Sequence, residues 1–341
     1  MNKLTKIGAS ALAGSLVSVS AMAGELSVSG SWELTYKSDD KTNIQNPFGS
    51  KSAMNFNGSG DVDGLGTATF YAQINDNNPA GFTSHLITLD MGDMGTFGFD
   101  QGVGQYGAST IDDKSPTAWE ESWHNTANSS GQLIHTGGST GVLGYANTVA
   151  GLDVSFEYAP SVNASDSGDG ATSGRATAAK AGGSNMNIAI TSSSLMDGLS
   201  VGVGAGETSY DDANTAGFED GSSVVGFANY TMGPITAGVT MSESNNVRAA
   251  TTSANDGARE VTAMGVAFAV NENLSVSYNT HETTFKKQGA GPDVDQEATG
   301  IAIAYTMGGA TLAIQNNELD NSGGVDGTND EITEISLSLA F

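Results

Sequence analysis

Leu26-Ser27-Val28-Ser29-Gly30-Ser31-Trp32-Glu33-Leu34-Thr35-Tyr36-Lys37 alternates apolar or small residues with polar ones. Successive side chains of a strand point to opposite faces, so Leu26, Val28, Trp32, Leu34 and Tyr36 share one face, and Ser27, Ser29, Ser31, Glu33, Thr35 and Lys37 the other. One face suits lipid and the other water. The last stretch of the chain repeats the pattern, with Thr333, Ile335, Leu337, Leu339 and Phe341 against Glu334, Ser336, Ser338 and Ala340.

Between these two stretches the alternation returns in short runs. Ala68, Phe70, Ala72 and Ile74 oppose Thr67, Thr69, Tyr71, Gln73 and Asn75, while a second strand is expected over Ala53 to Gly60, after a polar loop from Asp39 to Ser50. Tight turns are expected at Asp61 to Gly64, Gly92 to Gly95, Thr148 to Gly151, Met196 to Gly198, Gly233-Pro234, Asn271 to Asn273 and Gly308-Gly309. Long acidic or Gly/Ser-rich loops separate the hairpins, and Tyr-Thr-Met-Gly recurs at Tyr230 and Tyr305. The count is sixteen strands with short turns on one side and long loops on the other, the pattern of a transmembrane barrel. Lipid offers backbone groups no partners, so such a sheet must close. The expected fold is therefore all-β, a sixteen-stranded transmembrane antiparallel β-barrel.

Composition agrees. Gly is abundant at 46 residues, Pro is rare at 6 and Cys is absent, so the fold holds without disulfides. The N-terminus reads as an export signal: Lys3 and Lys6 precede a mildly apolar Ile7 to Val19, and Ala21-Met22-Ala23 offers a cleavage site. Residues 1–23 are thus the expected signal peptide and 24–341 a single barrel domain. No later run of eighteen apolar residues exists to form a helical anchor. The formal charge is −26, and loss of Lys3 and Lys6 makes the mature chain more negative still. Such a field repels nucleic acid and favours cations.

One long interval breaks the alternation. Gly102 to His124, GVGQYGASTIDDKSPTAWEESWH, gathers Asp112, Asp113, Lys114, Glu120 and Glu121 among Trp119, Trp123, Tyr106 and Pro116. With its Ser/Gly-rich tail it spans 102–140, a length that suits a functional loop. The expectation is that it folds into the lumen and narrows it, its carboxylates attracting cations. The alternative is a solvated surface loop. Lys114 is expected to pair with a neighbouring carboxylate, and Trp119 and Trp123 to wedge the loop against the wall. Further charges expected in the lumen are Glu33, Lys37, Lys51, Asp100, Asp153 and Glu157.

Enzymatic chemistry finds little support. His85, His124, His135 and His281 lack metal-ligand spacing, and no G-x-S-x-G elbow is present. No cofactor is expected, although acidic outer loops such as Asp211-Asp212 and Asp320 to Glu331 offer candidate Ca2+ or Mg2+ ligands.

The last strand ending in Phe341, together with YANTVAGLDVSFEYAP at 145–160, resembles the Gram-negative general porins. Ile87 to Phe99, followed by Ile111 to Glu121, is most similar to porins of marine alphaproteobacteria. The resemblance implies a homotrimer in the bacterial outer membrane, amid lipid and lipopolysaccharide, passing small hydrophilic solutes past an inward-folded third loop. It also implies that Phe341 is part of the signal read by the barrel-assembly machinery. General porins set an Arg cluster against the acidic loop, whereas the Arg residues here, Arg175, Arg248 and Arg259, all fall in or beside loops. A cation-favouring diffusion channel is the expected function. The alternatives are a substrate-selective nutrient channel, or a barrel-anchored surface protein whose acidic loops bind cations or partners. Cleavage after Ala23 predicts that intact-mass measurement of the exported chain will give a mature N-terminus at Gly24; retention of Lys3 and Lys6 would refute it.

Overall fold

A computed structural model describes residues 24–40, 44–76, 81–111, 113–124, 126, 141–160, 182–210, 220–245, 258–286 and 292–341. The expected signal peptide, Asp112, and the tail of the irregular loop at 127–140 lie outside the described residues. The strands are β1 (Leu26–Asp39), β2 (Phe48–Val62), β3 (Gly66–Asn75), β4 (Ser84–Asp90), β5 (Thr96–Gln101), β6 (Val142–Val149), β7 (Leu152–Ala159) and β8 (Gly182–Ser192). They continue as β9 (Leu199–Tyr210), β10 (Gly221–Met232), β11 (Ile235–Asn245), β12 (Arg259–Ala269), β13 (Leu274–Phe285), β14 (Val294–Met307), β15 (Ala310–Asp320) and β16 (Asp330–Ala340). Each pairs antiparallel with its sequence neighbours, and β1 pairs with β16 to close the barrel. The seam ends on a reciprocal bond, Phe341 N–H to Gly30 O at 2.9 Å and Gly30 N–H to Phe341 O at 3.1 Å.

The strand count read from alternation is therefore correct, and one boundary is not. β2 begins at Phe48 rather than Ala53, because Gly49-Ser50-Lys51-Ser52 lacks alternation but pairs with β1 all the same, Tyr36 with Phe48 and Glu33 with Lys51. Pairing to a strong neighbour overrides weak local pattern. The β6–β7 hairpin turns on Ala150 and Gly151 at φ 54° and 81°, the left-handed pair that matches strand twist in a two-residue hairpin.

The outer surface is apolar because it faces hydrocarbon. On β14, Ile301, Ile303 and Tyr305 point outward, while Gly300, Ala302 and Ala304 point inward. Aromatic pairs mark the edges of the belt: Tyr36 and Phe48 stand 5.5 Å apart near the long loops, Phe97 and Tyr145 4.7 Å apart near the short turns. Above the belt, on the long-loop side of β11 to β16, exposed carboxylates sit directly opposite one another, Glu243 with Glu260, Glu282 with Glu297, and Glu318 with Glu331. Lys286 reaches Glu260 at 3.1 Å. Like charges so placed repel, and are tolerated only where water reaches them. They therefore mark the upper limit of the hydrocarbon zone.

Ile301, 56% exposed on the outward face, tests this assignment. Ile301→Arg should destabilise the barrel in bilayers by about 2–4 kcal/mol, read by urea unfolding in lipid vesicles. No loss of stability would mean that this face does not meet hydrocarbon.

Candidate functional site

The stretch after β5 is fastened at its first turn. Asp100 is 3% exposed, and its carboxylate accepts Val103 N–H at 2.7 Å and Gln105 N–H at 2.8 Å. Both oxygens are thus used on backbone amides, a charge-assisted arrangement that fixes the turn. Tyr106 follows, 2% exposed, its ring lying over Gly98 and Gly144, where a side chain on either residue would occupy the same space. Burial and the nearby Asp100 charge push its phenol up to about 12. Asp100 was expected to line the lumen. It faces inward, as its parity requires, but the loop covers it.

From there the loop runs along the wall and touches each strand from β6 to β15. Gly107 N–H donates to Ser155 Oγ on β7 at 2.8 Å, and Ala108 N–H to Asn187 Oδ1 on β8. Ile111 is fully buried with Ala189, Val225 and Phe227, close to Gly204 on β9. Asn229 Nδ2 of β10 donates to Lys114 O at 2.7 Å, and Pro116 rests on Gly238 of β11 and Gly265 of β12. Ala118 N–H donates to Ser277 Oγ on β13 at 2.8 Å, and the Trp123 ring lies 6.1 Å from that of His281. Ser122 sits on Gly300 of β14. Gln315 and Asn317 of β15 donate to Glu121 O at 2.8 and 3.2 Å, and Asn317 also to His124 O at 3.0 Å.

These seats are not scattered. Gly98, Gly144, Glu157 and Asn187 are successive register partners across β5 to β8. Asn229, Gly238, Gly265, Asn279, Gly300 and Asn317 are successive partners across β10 to β15. The glycines make room for the loop backbone, and Asn187, Asn229 and Asn317 bond to it. With each such bond contributing about 1 kcal/mol net, the loop is held by many modest contacts rather than one strong one.

The loop leaves β16 and β1 to β4 as the uncovered wall. There Glu33 is buried, holds Lys51 Nζ at 2.8 Å and accepts a bond from Ser336 Oγ. Lys51 remains largely exposed to the lumen and within electrostatic reach of Glu120. Lys37 lies 3.9 Å from Asp39. On the loop, Asp113 is exposed; Glu120 is half-buried and 3.6 Å from His124 Nδ1. The protein around Asp113 strips hydration from its carboxylate and raises its pKa above the ordinary value, with Lys114 and His124 pulling it back. Lys114 Nζ stands 6.0 Å over the Phe227 ring. Glu121 is buried at the loop's far dock. Asp153 is exposed and accepts from Thr148 Oγ1 at 2.6 Å, whereas Glu157, expected in the lumen, is 3% exposed beneath the loop and bonded by Asn187 Nδ2. Parity placed both Asp100 and Glu157 on the inner face; it could not show that chain lies over them.

The sequence profile of Gram-negative porins matches residues 8–339. The chain belongs to this family. Among curated proteins, none matches it in sequence. Of solved structures, Salmonella typhi OmpF in complex with daunomycin is similar with a TM-score of 0.70 at 13% identity, over 94% of this chain and 98% of OmpF. A loop L8 deletion mutant of OmpT, an outer membrane protein of Vibrio cholerae, gives 0.66 at 14%, over 94% and 100%. The anion-selective porin of Comamonas acidovorans gives 0.65 at 14%, over 93% and 100%. The porin is therefore an outer-membrane channel for small solutes. An anion-selective neighbour shows that the fold leaves the sign of selectivity open.

Reading the porin's sequence alone missed the residues that seat the loop. The signal was glycine recurring at inward parity in strands where glycine weakens pairing, Gly98, Gly144, Gly238, Gly265 and Gly300, and it becomes legible only once register is known. Among the described residues, the carboxylates of Asp39, Asp40 and Asp330 lie within 4.8 Å of one another, at the long-loop ends of β1 and β16. Asp40 Oδ1 already accepts Glu331 N–H at 2.9 Å.

Asp100→Ala removes two bonds to a buried charge, worth about 1.5–3 kcal/mol each. The expected result is faster hydrogen exchange at the Val103 and Gln105 amides, with the β-strand amides unchanged. Wild-type protection at both amides would show that Asp100 does not fasten the turn.

Proposed function

We propose that this porin passes small hydrophilic solutes with a preference for cations, past a constriction made by residues 102–140. The observation that carries this reading is the Glu33 and Lys51 pair at 2.8 Å. Lys51 is the exposed wall cation nearest the loop, and its charge is already balanced by Glu33; Lys37 has Asp39 beside it. The uncovered wall thus opposes Asp113 and Glu120 with no net positive strip, so the transverse field is weak and the local potential negative. Rings of carboxylate attract cations and raise the barrier for anions. The chain's overall acidity acts in the same direction.

The working unit is a homotrimer, in keeping with the trimer form of Vibrio cholerae OmpT. Its outward face meets lipid and lipopolysaccharide. Phe341 is 77% exposed and available to assembly machinery at the end of β16. Residues 1–23 direct export.

Zero-current potentials across a planar bilayer with a KCl gradient test the selectivity. The wild type should show cation preference, and Asp113→Asn with Glu120→Gln should move the potential toward zero; an anion-directed potential in the wild type would overturn the reading. Because the Asp113 carboxyl titrates above its ordinary range, its neutral form takes over at a higher pH than in a free aspartate. Cation preference should therefore decline on acidification before other aspartates protonate, and Asp113→Asn should remove that early phase. The same early phase in Asp113→Asn would assign it to another group.

A further inference from the structure

The loop's height above the wall depends on what lies beneath it. At Gly265 an added Cβ would collide with Pro116 O and stand 2.9 Å from Ser115 Oγ; at Gly300 it would stand 2.8 Å from Ser122 Cα and 2.9 Å from Ser122 Cβ. These neighbours are mostly backbone or short side chains, which cannot swing aside. Relief requires the loop to lift by about 1 Å, to ordinary van der Waals separation. Three glycines of one register row, Gly238, Gly265 and Gly300, fall in strand interiors, where each costs about 0.5–1 kcal/mol relative to alanine. The loop cannot compensate for that cost by sliding, because Asn229 and Asn317 pin its carbonyls at either end of the row.

We propose that the glycine row of β11, β12 and β14 sets the bore of the channel, so that the limit on solute size is encoded in the wall beneath the loop. Gly265 and Gly300 are positioning residues: they touch no solute and act through Pro116 and Ser122. This rests on the pore reading above and adds the element that fixes the pore's size. Bulk at the seats lifts the loop into the lumen and narrows the passage, without altering any charge that faces it.

The test compares Gly265→Ala and Gly300→Ala with Gly226→Ala, an outward position whose added Cβ meets nothing nearer than Gly202 O at 3.6 Å. Folding is checked by heat-dependent mobility on gels. Single-channel conductance is measured in planar bilayers, and liposome swelling with uncharged sugars of graded size. Both inward variants should give a smaller conductance step and exclude sugars that the wild type admits, with the KCl zero-current potential unchanged and Gly226→Ala behaving as wild type. Removing the opposing side chain, Ser122→Gly with Gly300→Ala, should restore much of the bore. If Gly300→Ala does not fold, the double variant carries the test. A folded double variant with near-wild-type conductance supports the seat, and its failure to fold overturns it, since the damage then lies in the strand. Wild-type conductance and size limit in the folded inward variants, or an equal loss in Gly226→Ala, also overturns it. A wild-type chain that gives no conductance steps refutes the pore reading instead.

Discussion

Hydrocarbon offers a peptide group no hydrogen-bond partner, and the rest of this structure depends on that constraint. Every strand must find a neighbour on both sides, so the sheet closes, with β16 returning to β1 and Phe341 bonded back to Gly30. Closure also dictates the two faces. The outward positions carry Ile301, Ile303 and their like, and the inward positions are released from any need to be apolar. Polarity inside and grease outside are consequences of one requirement.

A barrel of sixteen strands is too wide for its own side chains to fill. This chain fills part of the space with a loop. The loop follows the wall instead of bridging the lumen, resting on glycine and fastened by Asn, Gln and Ser side chains of strands as distant in sequence as Ser155 and Asn317. Its charged edge, Asp113 and Glu120, is left facing water beside a wall whose lysines already have carboxylate neighbours. Position comes from packing, and selectivity from the few charges that packing leaves exposed.

The fold was largely legible because the cause of alternation is local: each residue meets either lipid or water, and parity records which. Loop lengths then fixed the order of hairpins. The start of β2 was obscured because Gly49-Ser50-Lys51-Ser52 is strand only by virtue of its partner. The site was legible in part. The irregular composition of Gly102 to His124 located the loop, and parity put Asp100 and Glu157 on the inner face. That both lie beneath the loop, and that Gly98 faces Gly144 or Gly265 faces Asn279, are facts of register between strands, which no local pattern contains.

The alignment of the seats has a consequence for assembly. Side chains alternate with a period of two, so a strand paired one residue out of register turns its whole inner face outward. Slippage of β12 by one position would replace Gly265 beneath Pro116 with Met264 or Val266, and the loop would have nowhere to lie. Misaligned barrels would carry their loop loose in the lumen, exposed to proteases. The loop thereby distinguishes correctly assembled molecules from misassembled ones.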